Sequence, residues 1–390
     1  MKIRSICATP VNIPFVAPYR FSYGSIAALT KTVIELTTED GIVGLGECAD
    51  GDRAADVEVM GERLIGLDVR LIREASKRVV PGMAYSPWDN VLARRRAFGG
   101  IETAMWDARG KTEGLPLWHL LGGKVREGIA LTEYFAFRSP GSAHPGEASP
   151  VEIAKFCAQM IDQHDAMIFE GKLATIDLAT ELEMVREVRS AIGDRELRLD
   201  ANGAWTLPTA KQAIRALEPY DIAWYEEPVE SFEEMAALRS VTDASLSAHR
   251  VDLRRAVDLG APDAIVTNLN ELGGIAGAVR FIESCESFDV GFRFHSGETG
   301  VASAAYLHVS AALEHVRGAS QTLFRWYADD VIEGGPFQPK SGAVAVPDGP
   351  GLGVVLDPVA LERCHQRYCD QGAFPSAEAS GHYGGSFSKA

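Results

Sequence analysis

Residues 196–228 read ELRLDANGAWTLPTAKQAIRALEPYDIAWYEEP, and this stretch decides the fold. Residues 196–201 read as a strand, 207–219 as a helix and 221–226 as a second strand. Each strand stops on acidic chemistry, the first at Leu199-Asp200-Ala201-Asn202 and the second at Tyr225-Glu226-Glu227-Pro228. A strand, a crossover helix and a strand of this length make one parallel unit.

The unit repeats on both sides. Candidate strands cover 129–137, 166–172, 196–201, 221–226, 244–249, 263–268, 290–295 and 318–324. Helical segments lie between them at 150–163, 176–192, 207–219, 231–241, 252–259, 273–288 and 300–314. Strand then helix, sustained over about 200 residues, is expected of a TIM-type (β/α)8 barrel rather than an open sheet. Residues 1–127 read instead as an α+β unit, with strands at 31–38 and 42–48 joined through Glu39-Asp40-Gly41 and helices over 53–80 and 87–113. Asp-Gly between two apolar runs is a hairpin signal. The barrel is assigned to 128–335. Residues 336–390 revert to short strands and a helix near 357–370, expected to pack back on the N-terminal unit. The end, 376–390, is small and polar.

Composition excludes several classes. The net charge is −16, from 54 acidic against 38 basic residues, so neither nucleic acid nor an anionic membrane surface is an expected partner. An anionic ligand then needs a locally positive site such as a metal. The six cysteines form no CxxC pair and are too sparse for a disulfide scaffold. No apolar run approaches the ~18 residues of a membrane span. A cytoplasmic protein that forms a symmetric homo-oligomer is the expectation.

The strand ends carry the chemistry. Lys172, Asp200, Glu226, His249, Asn268 and His295 follow one another at spacings near one strand-plus-helix unit, so they should ring one mouth of the barrel. Alternation puts Glu170 with Lys172, Asp200 with Asn202, Trp224 with Glu226, and Ser247 with His249. Carboxylates on adjacent strands beside an imidazole make a candidate site for a hard or borderline divalent cation, with Asp200, Glu226 and His249 as ligands.

This pattern resembles the enolase superfamily, its mandelate racemase subgroup and the glucarate dehydratase-like branch of acid-sugar dehydratases. The likeness rests on Gly41-Ile42-Val43-Gly44-Leu45-Gly46-Glu47, on Trp106-Asp107 and Leu120-Leu121-Gly122-Gly123, on the two acidic strand ends, on Gly273-Gly274-Ile275 and on Phe294-His295-Ser296. It implies a modified, (β/α)7β-like barrel under an α+β capping domain. It also implies Mg²⁺, or another divalent ion such as Mn²⁺, bound to a small carboxylate substrate. The implied reaction removes the proton α to a carboxylate, with Lys172 and His295 as the catalytic pair, and expels a β-hydroxyl to give a 2-keto-3-deoxy acid. A Lys or His base beside Mg²⁺ is the general pattern of that superfamily, so this role comes from the resemblance.

Three positions depart from the resemblance. Glu170-Gly171-Lys172 stands where Lys-x-Lys is usual, and a neighbouring carboxylate raises a lysine's pKa. Lys172 is therefore expected to act as an acid or carboxylate clamp, or to form a structural ion pair with Glu170. His249 takes the third metal position, where an imidazole favours Mn²⁺ or Zn²⁺; alternatively it stands behind the ligands, with solvent or Asn202 in the gap. Asn268–His295 replaces an Asp–His dyad, so Asn268 orients the imidazole without stabilising its charge. Gln321 stands near strand eight where a carboxylate is expected, and Glu298 compensates if it turns inward. Residues 18–24 and 49–53 are the expected lids, and the expected substrate contacts are Arg20, Tyr23, Glu170, Asn202, Glu298 and Gln321; Arg20 is either a bidentate carboxylate ligand or a solvated loop residue. Two other readings stay open: a racemase or epimerase using Lys172 and His295 on opposite faces, and a divergent relative that binds a metal–acid complex without turnover.

Overall fold

The computed structural model of the chain describes residues 1–80, 91–141, 143–295 and 297–374. It opens with an antiparallel sheet of β1 (Ile3–Phe21), β2 (Gly24–Thr38) and β3 (Val43–Cys48), in that spatial order. The Asp-Gly turn forms as expected: Gly41 sits at φ +83, and the Thr38 N–H donates to the Ile42 carbonyl at 2.9 Å. The first hairpin was not legible. Residues 18–24 are not a loop, because β1 and β2 pair as far as Phe21 opposite Gly24 and leave only Ser22-Tyr23 to turn. Pro10, Pro14 and Pro18 hide β1, since proline carries no ladder donor. β1 tolerates them as an edge strand, with a register shift between Pro14 and Tyr19.

The helical pattern over 53–80 resolves into Ala54–Glu62 and Ile72–Val79. A third helix, Val91–Glu113, lies directly on β3; the start expected at 87–90 falls outside the described residues. Glycines at the contact let the two backbones meet. A Cβ on Gly46 would stand 2.0 Å from the Gly100 carbonyl oxygen.

Next come β4 (Gly128–Ala130), β5 (Glu133–Phe135), β6 (Ile168–Lys172), β7 (Glu196–Asp200), β8 (Trp224–Glu226), β9 (Ser245–Ala248), β10 (Ala264–Thr267) and β11 (Gly291–Phe294). β5 to β11 form one seven-stranded sheet in sequence order, every neighbour parallel. Helices alternate with these strands, and their starts are set by side-chain caps. Ser149, Asp177, Thr206, Ser231, Asp252 and Thr299 each accept a bond from a first-turn N–H. The apolar faces of these helices pack on the sheet, burying Phe169, Leu197, Leu199, Val185, Val188 and Ile214, all essentially inaccessible.

Two expected strands are corrected. Residues 129–137 split into β4 and β5, and β4 pairs antiparallel with β12 (Ala343–Ala345). Residues 318–324 form no full strand. Instead the Ser320 N–H donates to Ala130 O at 3.0 Å, Thr132 N–H to Ser320 O at 2.9 Å, and Gln321 N–H to Phe294 O at 3.0 Å. Those bonds link β11, through Ser320 and Gln321, to Ala130 and Thr132 just ahead of β5, and so bring the two ends of the curled sheet together before the chain enters a 3-10 turn, Phe324–Trp326. The fold is the modified barrel with an N-terminal antiparallel cap.

The tail returns to the start of the chain. Helix Pro358–Gln371 lies on β1, where Asn12 Nδ2 donates to Gly372 O at 2.9 Å and His365 Nδ1 lies 2.7 Å from Pro10 O. The expected polar end at 376–390 lies outside the described residues. All six cysteines are unpaired, and among the described residues no helix is long and apolar enough to cross a membrane.

Candidate active site at the barrel mouth

Register builds the site. Lys172, Asp200 and Glu226 lie opposite one another across β6, β7 and β8, so the pleat that turns one inward turns all three. Glu170, Arg198 and Trp224 align in the same way two residues earlier and form a deeper layer. Lys172 and Asp200 are both buried and joined as an ion pair. Asp200 also accepts from the Asn202 N–H at 2.8 Å and from Asn202 Nδ2 at 3.0 Å, bonds reached because Asn202 adopts φ +47. Gln321 Nε2 bridges the other two acids, at 2.5 Å from Glu170 and 2.8 Å from Glu226. Tyr134 donates its hydroxyl to Glu170 at 3.3 Å.

Among the described residues, Glu170, Asp200 and Glu226 form the one group of three metal-competent side chains, their ligand oxygens within 4.8 Å of one another. The cluster is short of positive charge. Burial, then Asp200 and Glu170, push the Glu226 carboxyl well above the usual carboxylate range. Burial works against the Lys172 ammonium, but Asp200 and Glu226 outweigh it and hold the lysine charged. Below them Arg293 donates to Ser247 Oγ at 2.9 Å and stacks over Trp224 at 4.1 Å, with burial and then Arg198 lowering it to about 10. Converging carboxylates that repel one another in a buried site fit a divalent cation, and an all-oxygen set suits a hard one such as Mg²⁺.

The donor set differs from the expected one. Glu170, assigned from sequence to the substrate, joins the carboxylates, drawn to Glu226 by the shared Gln321 amide. Gln321 itself is a bridge beneath the site. His249 lies past the end of β9 and outside the carboxylate group. Its ring packs edge-on against His295 at 4.5 Å, and its N–H donates to Glu227 at 3.0 Å. Burial, then the Asp200 charge, raises Glu227 to about 7.

His295 stands on the other side of the same cavity, a space of about 1120 Å³ also lined by Lys172, Asn202, Glu226, His249, Asn268, Glu298 and Tyr23. Burial, then His249 and Lys172, lower its pKa well below the ordinary imidazole value, so it is neutral. Among the described residues its Nδ1 has no hydrogen-bond partner. The expected Asn268–His295 bond is not made there: Asn268 Oδ1 accepts from the Glu271 N–H at 3.0 Å, closing the turn after β10. Ser296 of the same motif lies outside the described residues. Glu298 does turn inward; it is buried, its Oε2 has no partner among the described residues, and burial is the main cause that lifts it to about 8. Arg20 is exposed and absent from the cavity wall, because alternation along β1 turns Tyr19 and Phe21 to that wall. Tyr19, Lys31, Tyr134 and Arg293 were not anticipated. Lys31 and Arg293 sit at inward positions of strands, where alternation alone would have found them.

A closed ring of parallel strands, an antiparallel cap and a carboxylate cluster at the strand ends define the enolase-type architecture. Residues 152–360 match the enolase C-terminal domain-like family, and residues 3–122 match the mandelate racemase/muconate lactonizing enzyme N-terminal domain. The chain belongs to the mandelate racemase/muconate lactonizing enzyme family of the enolase superfamily, and it is an enzyme. It is 28% identical over 375 residues to a probable glucarate dehydratase of Streptomyces coelicolor, covering 87% of this chain and 85% of that one. With a D-galactonate dehydratase of Ralstonia nicotianae it shares 29% over 349 residues, covering 83% and 88%. Among solved structures, an enolase from Thermobispora bispora with magnesium and formate superposes at a TM-score of 0.88 with 28% identity, covering 98% of this chain and 96% of that one.

Proposed function

We propose that the chain is a metal-dependent dehydratase of a sugar acid, yielding a 2-keto-3-deoxy acid. One observation carries the reading: a charged Lys172 and a neutral His295 line one cavity with Glu226 of the carboxylate cluster. The dehydratase names of the relatives support it. Asp200 and Glu226, with Glu170 beside them, would hold a divalent ion. That ion supplies charge neutralisation for the carboxylate whose α proton is removed.

The remaining work belongs to side chains. Lys172, held as an ammonium, binds the substrate carboxylate and cannot serve as the base. His295, uncharged and with a free Nδ1, takes the α proton. The imidazolium then protonates the departing β-hydroxyl, water leaves, and the neutral ring is restored. The enol product tautomerises to the keto acid. Asn268 does not assist His295 in this scheme, and Tyr23, Asn202 and Glu298 contact the substrate.

The full chain with Mg²⁺ should convert at least one aldarate or aldonate to a 2-keto acid. His295→Gln should lose that activity together with exchange of the α proton for solvent deuterium. Exchange by the wild type without any keto acid would replace dehydration by epimerisation. No exchange and no product with either Mg²⁺ or Mn²⁺ would leave a binding protein.

A further inference from the structure

The wall of the cavity contributed by the cap holds a cation that the scheme above leaves unused. Lys31 lies on β2, is 6% exposed, and lines the same cavity as Lys172 and His295. Its Nζ donates to the Ala49 carbonyl, and among the described residues no carboxylate stands within ion-pair distance of it. A buried ammonium without a counter-ion is costly, so it is retained where a ligand supplies the missing charge. Glu298 is the neighbouring group with spare capacity, 4% exposed and with Oε2 unpartnered. Lys31 is also the strongest charge acting on that carboxyl.

We propose that Lys31 binds a second carboxylate at the far end of the substrate, with Glu298 donating beside it, so that the enzyme selects sugar diacids over monoacids. The inference rests on the dehydratase reading and names its substrate class. Lys172 and the carboxylate cluster engage one end of the acid; Lys31 engages the other. Because burial lifts Glu298 to about 8, it carries a proton at neutral pH and repels no anion. The exposed Arg20 has no part in this recognition.

Recognition can be measured apart from turnover. Calorimetry with the Mg²⁺-loaded full chain compares adipate with 6-hydroxyhexanoate, which differ only in the distal group and cannot be dehydrated. The wild type should bind the diacid about 10- to 100-fold more tightly, the range of one charge-assisted hydrogen bond. Lys31→Met should bring the two acids to parity, and Lys31→Arg should keep the preference. On any acid that turns over, Lys31→Met should raise KM for the aldarate more than for the matching aldonate. No diacid preference in the wild type, or an equal loss for both acids in Lys31→Met, overturns the inference. Diacid preference that depends on Lys31 without turnover of any acid upholds it and removes the dehydratase reading instead. Should Lys31→Met fail to fold, the wild-type ratio and Lys31→Arg still decide.

Discussion

At the scale of single residues, the Lys172–Asp200 pair has the largest consequence. Both members are buried, and Asp200 is fully inaccessible. Removing one partner of such a pair strands the other charge, a loss of about 3–5 kcal/mol. Lys172→Met should therefore lower the urea-unfolding free energy of the metal-free protein by about that amount. Saturating Mg²⁺ should narrow the difference, because the cation compensates Asp200 in its place. An undiminished difference in Mg²⁺ would show that Asp200 is not a ligand. The strand-end acids Asp200 and Glu226 were legible because an ionisable residue closing a buried apolar run is costly unless something there uses its charge. The role of Glu170 was not legible. What gathers it to Glu226 is Gln321, 151 residues away along the chain, and sequence spacing does not encode that bridge.

Elements meet through carboxylates borrowed from the cap. Glu102, on helix Val91–Glu113, accepts from the Ile275 and Ala276 N–H groups at 2.7 and 2.9 Å and so caps a barrel helix. Glu47, at the end of β3, accepts from the Thr299 N–H at 3.0 Å and the Ala302 N–H at 3.0 Å, capping the next. The two helices are those that follow β10 and β11, the strands that lead to Asn268 and His295. Burial raises Glu102 to about 7 from an ordinary 4.5, against the helix N–H bonds that pull it down. The folded state then holds a proton that the unfolded chain has released between those two values. Its stabilising contribution is complete below about 4.5 and is lost as pH rises to about 7. Wild type should lose stability relative to Glu102→Gln across that window, read by denaturant unfolding at stepped pH; parallel curves would show that Glu102 ionises normally. Helix and strand order were readable from period alone, since capped helices alternate with short buried strands. The closing segment and β1 were not, because single hydrogen-bonded bridges and proline-bearing edge strands leave little periodic trace.

For the whole molecule, the carboxylate excess links metal to stability. An ion that binds only the folded chain stabilises it by mass action, about 2.7 kcal/mol at a hundredfold excess over Kd. Mg²⁺ should raise the unfolding temperature and EDTA should reverse the rise, followed by calorimetry. Glu226→Gln should flatten the response, and a response equal to wild type would place the ion elsewhere. The general acidity of the chain, −16 overall, makes long-range attraction of an anionic substrate unfavourable. Capture in the proposed reaction then calls on local cations, and Lys172 on the barrel and Lys31 on the cap both line the cavity.

The hairpin of β1 and β2 has its outer strand clasped by the C-terminal helix Pro358–Gln371, so both ends of the described chain brace the element that carries Tyr19, Tyr23 and Lys31. In the proposed scheme the wall that tells one acid from another is thus stitched from the hairpin and the helix Pro358–Gln371, while the bond-breaking groups come from the barrel between them. A duplicated gene can exchange its diet by altering the ends and keep its chemistry untouched. The same partition offers an engineering rule: graft the hairpin and its clasping helix together, and leave the barrel whole.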